Sequence, residues 1–309
     1  MQEFFLLELT MQLVFGSKMK TKWEQLMIMQ TTPPADNAEL RQALYGSEVF
    51  LLAANAASRA LGDTVRALLH KHFGPDYRSL EHSADGDAFF GRMGLLRREL
   101  YLQPEPQRLI AELVSALGFD PARSACDPLR LRAILHEGER NPRAKAVYYP
   151  HRDTWYSHSQ SLITCWIPLD DLPPEETFVF FPEQFTQVVP NNSEIFDYQR
   201  WVERDWNLKI GWQHKDDGLT AQYPELTGPL PDGAPRVGFS CSRDQILLFA
   251  GHHLHQTLPQ SRGRNRFSLD FRLVQLDDHE AGRGAPNVDN RSTGSALPHY
   301  INCAEALRA

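Results

Sequence analysis

Cysteine is scarce in this 309-residue chain, and the four present (Cys126, Cys165, Cys241 and Cys303) are scattered, with no Cys-x-x-Cys pair. That argues against a thiolate zinc site and against a disulfide framework; free thiols in a reducing cytoplasm are the expectation. Basic charge is not in excess. Lys and Arg number 32 against 39 Asp and Glu, and the net charge is −7. A nucleic-acid partner would call for a basic face, so none is expected. No run of like charge suggests an interaction tail. Long apolar runs are missing too. The most apolar stretch, "MQEFFLLELTMQLVF", is broken by Glu3 and Glu8. It is too short to span a bilayer, and it has neither the basic flank nor the small-residue cleavage site of a signal peptide. Met11, Met19, Met27 and Met29 follow closely. Residues 1–35 are therefore read as an N-terminal extension, either non-native or disordered.

Residues 36–309 read as one domain, with no internal repeat. "TTPPADN" is a linker, with Asp36 or Asn37 placed to cap a helix over "AELRQALYG". Residues 47–74 are rich in Ala and Leu, show helical spacing and stop at Gly74, and residues 104–119 repeat the pattern with a proline near the start. The part from 36 to 120 is thus expected to be helical. From 130 to 277 the character changes to short segments rich in β-branched and aromatic residues, such as "SLITCWIPL", "TFVFFP" and "RFSLDFRLVQL", bounded by Pro, Gly or Asp. Helices followed by strands predict an α+β fold, with helices against one side of an antiparallel sheet system. Residues 191–230 look like a polar, Trp-rich insertion with one helical piece, and 278–309 like a loop-like tail.

Chemistry concentrates in "YYPHRDTWYSHSQ", residues 148–160. If a strand runs to Pro150, alternation puts Lys145, Val147, Tyr149 and His151 on one face, and Asp153 keeps the parity. An imidazole and a carboxylate converging in this way supply two members of a His₂-carboxylate triad, the donor set that suits non-haem Fe(II). The third should be a histidine on a distant strand. His252, His253 and His255 follow an expected strand, Gln245–Phe249. A second strand, Arg266–Val274, places Phe267, Leu269, Phe271 and Leu273 on one face and Arg266, Ser268, Asp270 and Arg272 on the other. The polar face could look into a cavity, where Arg266 would grip a carboxylate beside the Ser268 hydroxyl. "HRD" also opens the protein-kinase catalytic loop. That reading fails, because the Gly-rich loop and DFG are missing and the residue five after Asp153 is His158, not Asn.

Taken together, "HRD" at 151–153, "LLFAGHHLHQT" at 247–257 and "RFS" at 266–268 resemble the Fe(II)/2-oxoglutarate-dependent oxygenases, and among them the phytanoyl-CoA dioxygenase-like branch. The likeness covers about residues 144–274. It implies a double-stranded β-helix (jelly-roll) core buttressed by the N-terminal helices. It implies iron held by His151, Asp153 and His255, although His253 shares the strand parity of His255. It implies 2-oxoglutarate held by Arg266 and Ser268, with Thr164 and Lys145 beside it. Substrate contacts would come from Tyr149, Trp155, Trp166 and Gln160. The tail could close over the mouth, with Asn287, Asp289 or Arg291 meeting substrate. Arg152 should point away from His151 into a salt bridge, and Asp270 and Arg272 should pair with each other or meet solvent. The implied activity is oxidation, most simply hydroxylation, of a C–H bond in a small molecule of secondary metabolism, using O2 and releasing succinate and CO2. In related halogenases a small residue replaces the carboxylate, so Asp153 speaks against halogenation. Two rivals stand beside this reading. One is a cupin-like metalloenzyme that does not use 2-oxoglutarate; the other is a catalytically inactive jelly-roll binding protein. A cytoplasmic location is expected, with no membrane or nucleic-acid partner. The oligomeric state is not encoded in any motif.

Overall fold

The computed structural model describes residues 29–141, 146–205 and 222–309. The first helix, α1 (Asn37–Tyr45), is capped by Asp36, whose side chain accepts from the Ala38 N–H. Residues 47–74 do not form one helix. Val49–Leu52 is a strand, β2, and the helix α2 begins only at Ala56. The reason is local. Asn55 and Ser58 form a reciprocal cap, each side chain accepting from the other's backbone N–H, which starts the helix there. The chain leaves α2 at Gly74 with φ of 81°, a left-handed conformation open to glycine. Two further helices follow, α3 (Gly86–Leu102), capped by Asp85, and α4 (Glu105–Ala116).

The strands are β1 (Met29–Gln30), β2, β3 (Ser124–Cys126), β4 (Arg130–Ile134), β5 (Leu162–Pro168), β6 (Phe178–Phe180), β7 (Ile246–Ala250), β8 (His255–Thr257), β9 (Arg266–Gln275) and β10 (Ile301–Asn302). One sheet has the order β1-β2-β7-β5-β9-β3-β10, with β4 also on β9; β6 and β8 form a separate two-stranded sheet. Among the described strands, β1 and β2 pair in parallel and the other strand pairs are antiparallel. Of the expected extension, residues 1–28 lie outside the described residues, whereas Met29 and Gln30 pair with Val49 and Phe50.

Strand β9 organises the molecule. Phe267, Leu269, Phe271 and Leu273 join Ile163, Cys165 and Leu248 in a core against the helices. Arg266, Asp270 and Arg272 emerge on the opposite face, which lines a cavity. The register with β5 sets Thr164 against Arg272 and Trp166 against Asp270, so both strands contribute to the same wall. All four cysteines are buried and free, with Cys126 and Cys303 sulfurs 3.6 Å apart. No helix among the described residues is long and apolar enough to cross a membrane.

Two expectations are corrected. Residues 146–148 make a helical turn in place of a strand reaching Pro150. The tail is loop-like from 281 to 296 but not throughout: it opens on a short helix (Leu276–Glu280) and ends in β10, paired with β3, and a last helical turn (Cys303–Ala306). Asp289 turns inward. It accepts from Arg152 Nε, Trp155 Nε1 and the Val189 N–H. Arg152 spends its other donors on the carbonyls of His252, Gln184 and Gln187. Asn287 bonds locally to Asn290, and Arg291 pairs with Glu194. None of the three lines the cavity.

Both side chains of the Arg152–Asp289 pair are fully buried. Removing one member leaves a buried charge without a counter-ion. Asp289→Ala is expected to destabilise the chain by about 3–5 kcal/mol, read as a fall in the urea midpoint; a loss below about 1 kcal/mol would mean the pair behaves like a surface one.

Candidate metal centre

His151 and His255 exchange backbone hydrogen bonds in an antiparallel bridge, each N–H donating to the other's carbonyl at 3.0 Å. This sets the two imidazoles side by side, with ring centroids 4.4 Å apart. Each ring is then oriented by its own neighbourhood. His151 Nδ1 bonds the Tyr149 carbonyl at 2.8 Å, and His255 Nδ1 bonds the His253 carbonyl at 3.0 Å. A carbonyl can only accept, so Nδ1 carries the proton in both rings. Both Nε2 atoms are left with free lone pairs.

After His151 the chain turns. Asp153–Tyr156 is a short 3-10 helix, which brings the Asp153 carboxylate back to the imidazoles. His151 Nε2 lies 3.7 Å from Asp153 Oδ1. The donor atoms of His151, Asp153 and His255 all lie within 4.8 Å of one another. The turn packs closely on Gly251, whose carbonyl accepts from the Thr154 N–H. A Cβ at Gly251 would stand 2.4 Å from Leu162 Cδ2 and 3.2 Å from Asp153 Cβ, so a side chain there would push on the turn.

The carboxylate is held from both sides. Thr164 Oγ1 donates to Oδ2 at 2.6 Å, and Arg272 Nη2 donates to Oδ1 at 3.2 Å. Burial alone would raise the Asp153 pKa, but Arg272 and His151 outweigh it and hold the carboxyl well below the usual range. Arg272 also reaches Asp270 at 2.8 Å and Asp127 at 3.7 Å. Burial would lower its pKa, and the three carboxylates keep it raised well above the ordinary value. Burial pushes His255 down to about 4.

Arg266 shares the wall and is matched differently. It is 2 % exposed, and its Nη1 donates to the Thr177 carbonyl at 3.5 Å. Its Nε has no hydrogen-bond partner, nor has the fully buried Ser268 Oγ. The guanidinium sits 5.8 Å from the Trp166 ring centroid, and burial lowers its pKa to about 10. A buried cation with unused donors is costly alone, so the site suits an anion such as a carboxylate.

The residues expected from sequence divide clearly. His151, Asp153, His255, Thr164, Trp166 and Arg266 face one cavity, and Ser268 is buried on the same strand. Lys145 lies outside the described residues. Trp155 is turned away and fully buried on Asp289, because the helical turn after Arg152 breaks strand parity. Tyr149 lends its carbonyl to His151, and its ring is absent from the wall; Gln160 accepts from the Ala285 N–H in the packing of the tail. Among the rival histidines, His252 bonds the Phe185 carbonyl and His253 packs 4.6 Å from the Phe185 ring, both away from the cavity. Sequence reasoning missed that Arg272 reaches Asp153, and it missed Arg132, Tyr156 and His158 in the wall. Arg132 could have been found by extending strand alternation to β4, which sets it against Ser268.

No protein-family model matches this chain, and no curated protein sequence matches it. Solved structures do resemble it. A non-heme monooxygenase, ThoJ, is 10 % identical, with 87 % of this chain and 97 % of that one covered and a TM-score of 0.43. The non-heme alpha ketoglutarate dependent epimerase SnoN, from nogalamycin biosynthesis, is 17 % identical over 86 % and 98 %, TM-score 0.40. EvdO2 from Micromonospora carbonacea var. aurantiaca is 12 % identical over 80 % and 94 %, TM-score 0.46. None of these reaches a TM-score of 0.5, so function is argued from the residues.

Two outcomes follow. Thr164→Val removes one hydrogen bond to Asp153 without changing shape or charge. Metal affinity should fall roughly 10-fold, and the metal-free chain should lose about 1–3 kcal/mol because the buried carboxylate loses a donor; unchanged affinity in a cobalt(II) titration would show that Thr164 does not orient the carboxylate. Acid should destabilise the metal-free fold. His252 and His255 stay neutral down to about 4 when folded, whereas the unfolded chain protonates them near 6.5. The unfolded state therefore binds more protons across that window, and stability falls as the pH drops through it. Urea midpoints that stay flat over the window would contradict this.

Proposed function

We propose that this chain is a non-haem Fe(II)/2-oxoglutarate-dependent oxygenase that oxidises, most simply hydroxylates, a C–H bond of a small molecule of secondary metabolism. The observation that carries the reading is the meeting of two oriented imidazoles and one carboxylate with an unmatched buried guanidinium in a single cavity. A His₂-carboxylate set of nitrogen and oxygen donors suits Fe(II) and leaves positions open for other ligands. His151, Asp153 and His255 would hold the iron, which when bound would couple O2 and the decarboxylation of 2-oxoglutarate, to succinate and CO2, to attack on substrate.

The chain's own part is positional. Arg266 would take the distal carboxylate of 2-oxoglutarate through paired N–H donors, with the Ser268 hydroxyl alongside. Trp166, Phe178 and Phe249 line the cavity, and with 2-oxoglutarate in place they would help to keep water from it. Thr164 and Arg272 keep Asp153 ionised and aimed. The antiparallel strands around the cavity, with helices on the far face of the large sheet, support a double-stranded β-helix. The phytanoyl-CoA dioxygenase-like branch is proposed on the motif spacing alone. A single domain over 36–309 and a cytoplasmic location with free thiols complete the reading.

The test is an anaerobic titration of the purified chain with Fe(II) and 2-oxoglutarate. A weak visible charge-transfer band should appear, be lost in His151→Ala and weaken in Arg266→Ala. Iron uptake without a band would favour the cupin-like metalloenzyme. No iron uptake would leave the inactive binding protein.

A further inference from the structure

Residues 284–296 of the tail lie along the turn that carries Asp153. The Ala285 N–H donates to the Gln160 carbonyl at 2.9 Å, and the Ala296 N–H donates to the Ser157 carbonyl at 3.1 Å. Between them, the Ser157 N–H donates to Ser292 Oγ at 3.0 Å, and the Ser157 hydroxyl donates to the Thr293 carbonyl. Backbone meets backbone here: a Cβ at Gly284 would stand 2.4 Å from the Gln160 carbonyl carbon. The proposed cofactor chemistry gives this segment nothing to do.

Asp289 turns its carboxylate inward from the middle of the segment. It accepts from Trp155 Nε1 at 2.8 Å, from Arg152 Nε at 3.1 Å and from the Val189 N–H at 3.1 Å. Trp155 belongs to the short helix that begins at Asp153. Arg152 stands between His151 and Asp153 in the chain, and its Nη1 donates at 2.6 Å to the carbonyl of His252, just ahead of His255. One guanidinium therefore holds both stretches of chain that carry the metal donors. Its carbonyl partners on His252, Gln184 and Gln187 bear partial charge, whereas Asp289, 3.0 Å from Nε, supplies a full counter-charge. A buried guanidinium that loses its carboxylate is strongly destabilised where it stands. Any shift of Arg152 moves the backbone on either side of it.

Resting on the metal reading of the centre, we propose that Asp289 is a positioning residue for the metal, and that docking of residues 284–296 and metal binding at His151, Asp153 and His255 stabilise one another. Asp289 is not among the residues that line the cavity; it acts through Arg152 and Trp155. Thr164 and Arg272 aim the Asp153 carboxylate itself, and Asp289 sets the backbone from which it is aimed. Such coupling is reciprocal: what the docked segment adds to metal affinity, the metal adds to docking of the segment.

The experiment titrates the full chain with cobalt(II), reading affinity and the visible cobalt band at a temperature where each variant is folded. Asp289→Asn keeps the side-chain shape and removes the charge. It should weaken cobalt binding roughly 10-fold and change the shape of the band at saturation. The control is Asp244→Asn, which breaks another largely buried pair, Arg66–Asp244 at 2.7 Å, just before β7; it should move neither readout. Ser292→Ala keeps the Arg152–Asp289 pair and should move both readouts the same way by less. In the unaltered chain, cobalt should slow hydrogen exchange at the Ala285 and Ala296 amides by a factor of the same order, about 10, and leave α3 unchanged. The last two measurements judge the coupling even if Asp289→Asn does not fold. Equal weakening in Asp289→Asn and Asp244→Asn, or exchange at Ala285 and Ala296 that ignores cobalt, would overturn it. An unaltered chain that takes up no cobalt would overturn the metal reading itself; uptake indifferent to Asp289 would overturn this inference alone.

Discussion

A single buried guanidinium, that of Arg272, ties the donor loop to the sheet. It contacts Asp153 from the loop, Asp270 on its own strand and Asp127 from the segment between β3 and β4. Arg132 and Arg130 then close the charges on Asp270 and Asp127 from β4. Each of these ions would be expensive to bury alone. Arranged with alternating sign they offset one another's desolvation, and the position of each depends on the others. The consequence for the centre is that Asp153 is ionised and fixed before any ligand arrives, which is the preorganisation a metal site needs.

Arg266 on the same strand makes the contrast plain. Six residues before Arg272 (272 − 266), it shares the cavity face and has no comparable partner. The Nε of each arginine lacks a hydrogen-bond partner, but Arg272 is matched by three carboxylates whereas the hydrogen bond of Arg266 is to the Thr177 carbonyl, and that difference in charge sets the two apart. Both depend on β9 being buried on two sides, with apolar residues against the helices and ionic residues toward the cavity.

Much of this was legible in sequence because a strand's period of two is rigid. The alternation of "RFSLDFRLV" assigned both faces of β9, and Thr164 and Trp166 fell on the cavity side of β5 by the same rule. The rule failed wherever the backbone left extended form. Parity from Tyr149 through Asp153 presumed a strand, while the chain makes helical turns at 146–148 and 153–156. Asp153 reaches the histidines through that turn, and Trp155 is carried away from them by it. "VFLL" before α2 could have been helix or strand, and only its pairing with β7 settles the matter. Strand parity did not separate His253 from His255; the spacing of the resemblance favoured His255, and the backbone bridge it makes sets it beside His151. Long-range partners such as Arg272 to Asp153 and Asp289 to Arg152 have no local signature at all.

The Arg152–Asp289 pair spans 137 residues of chain, and Arg152 lies between the donor residues His151 and Asp153. A contact of that separation forms only after a large loop has closed, and such closures are slow. During synthesis the donor loop therefore emerges long before the carboxylate that anchors it. Until residue 289 is in place, Arg152 has no counter-ion, and the turn that aims Asp153 lacks its inner support. The inner support of the turn that carries Asp153 is thus complete only once residue 289 has joined the chain.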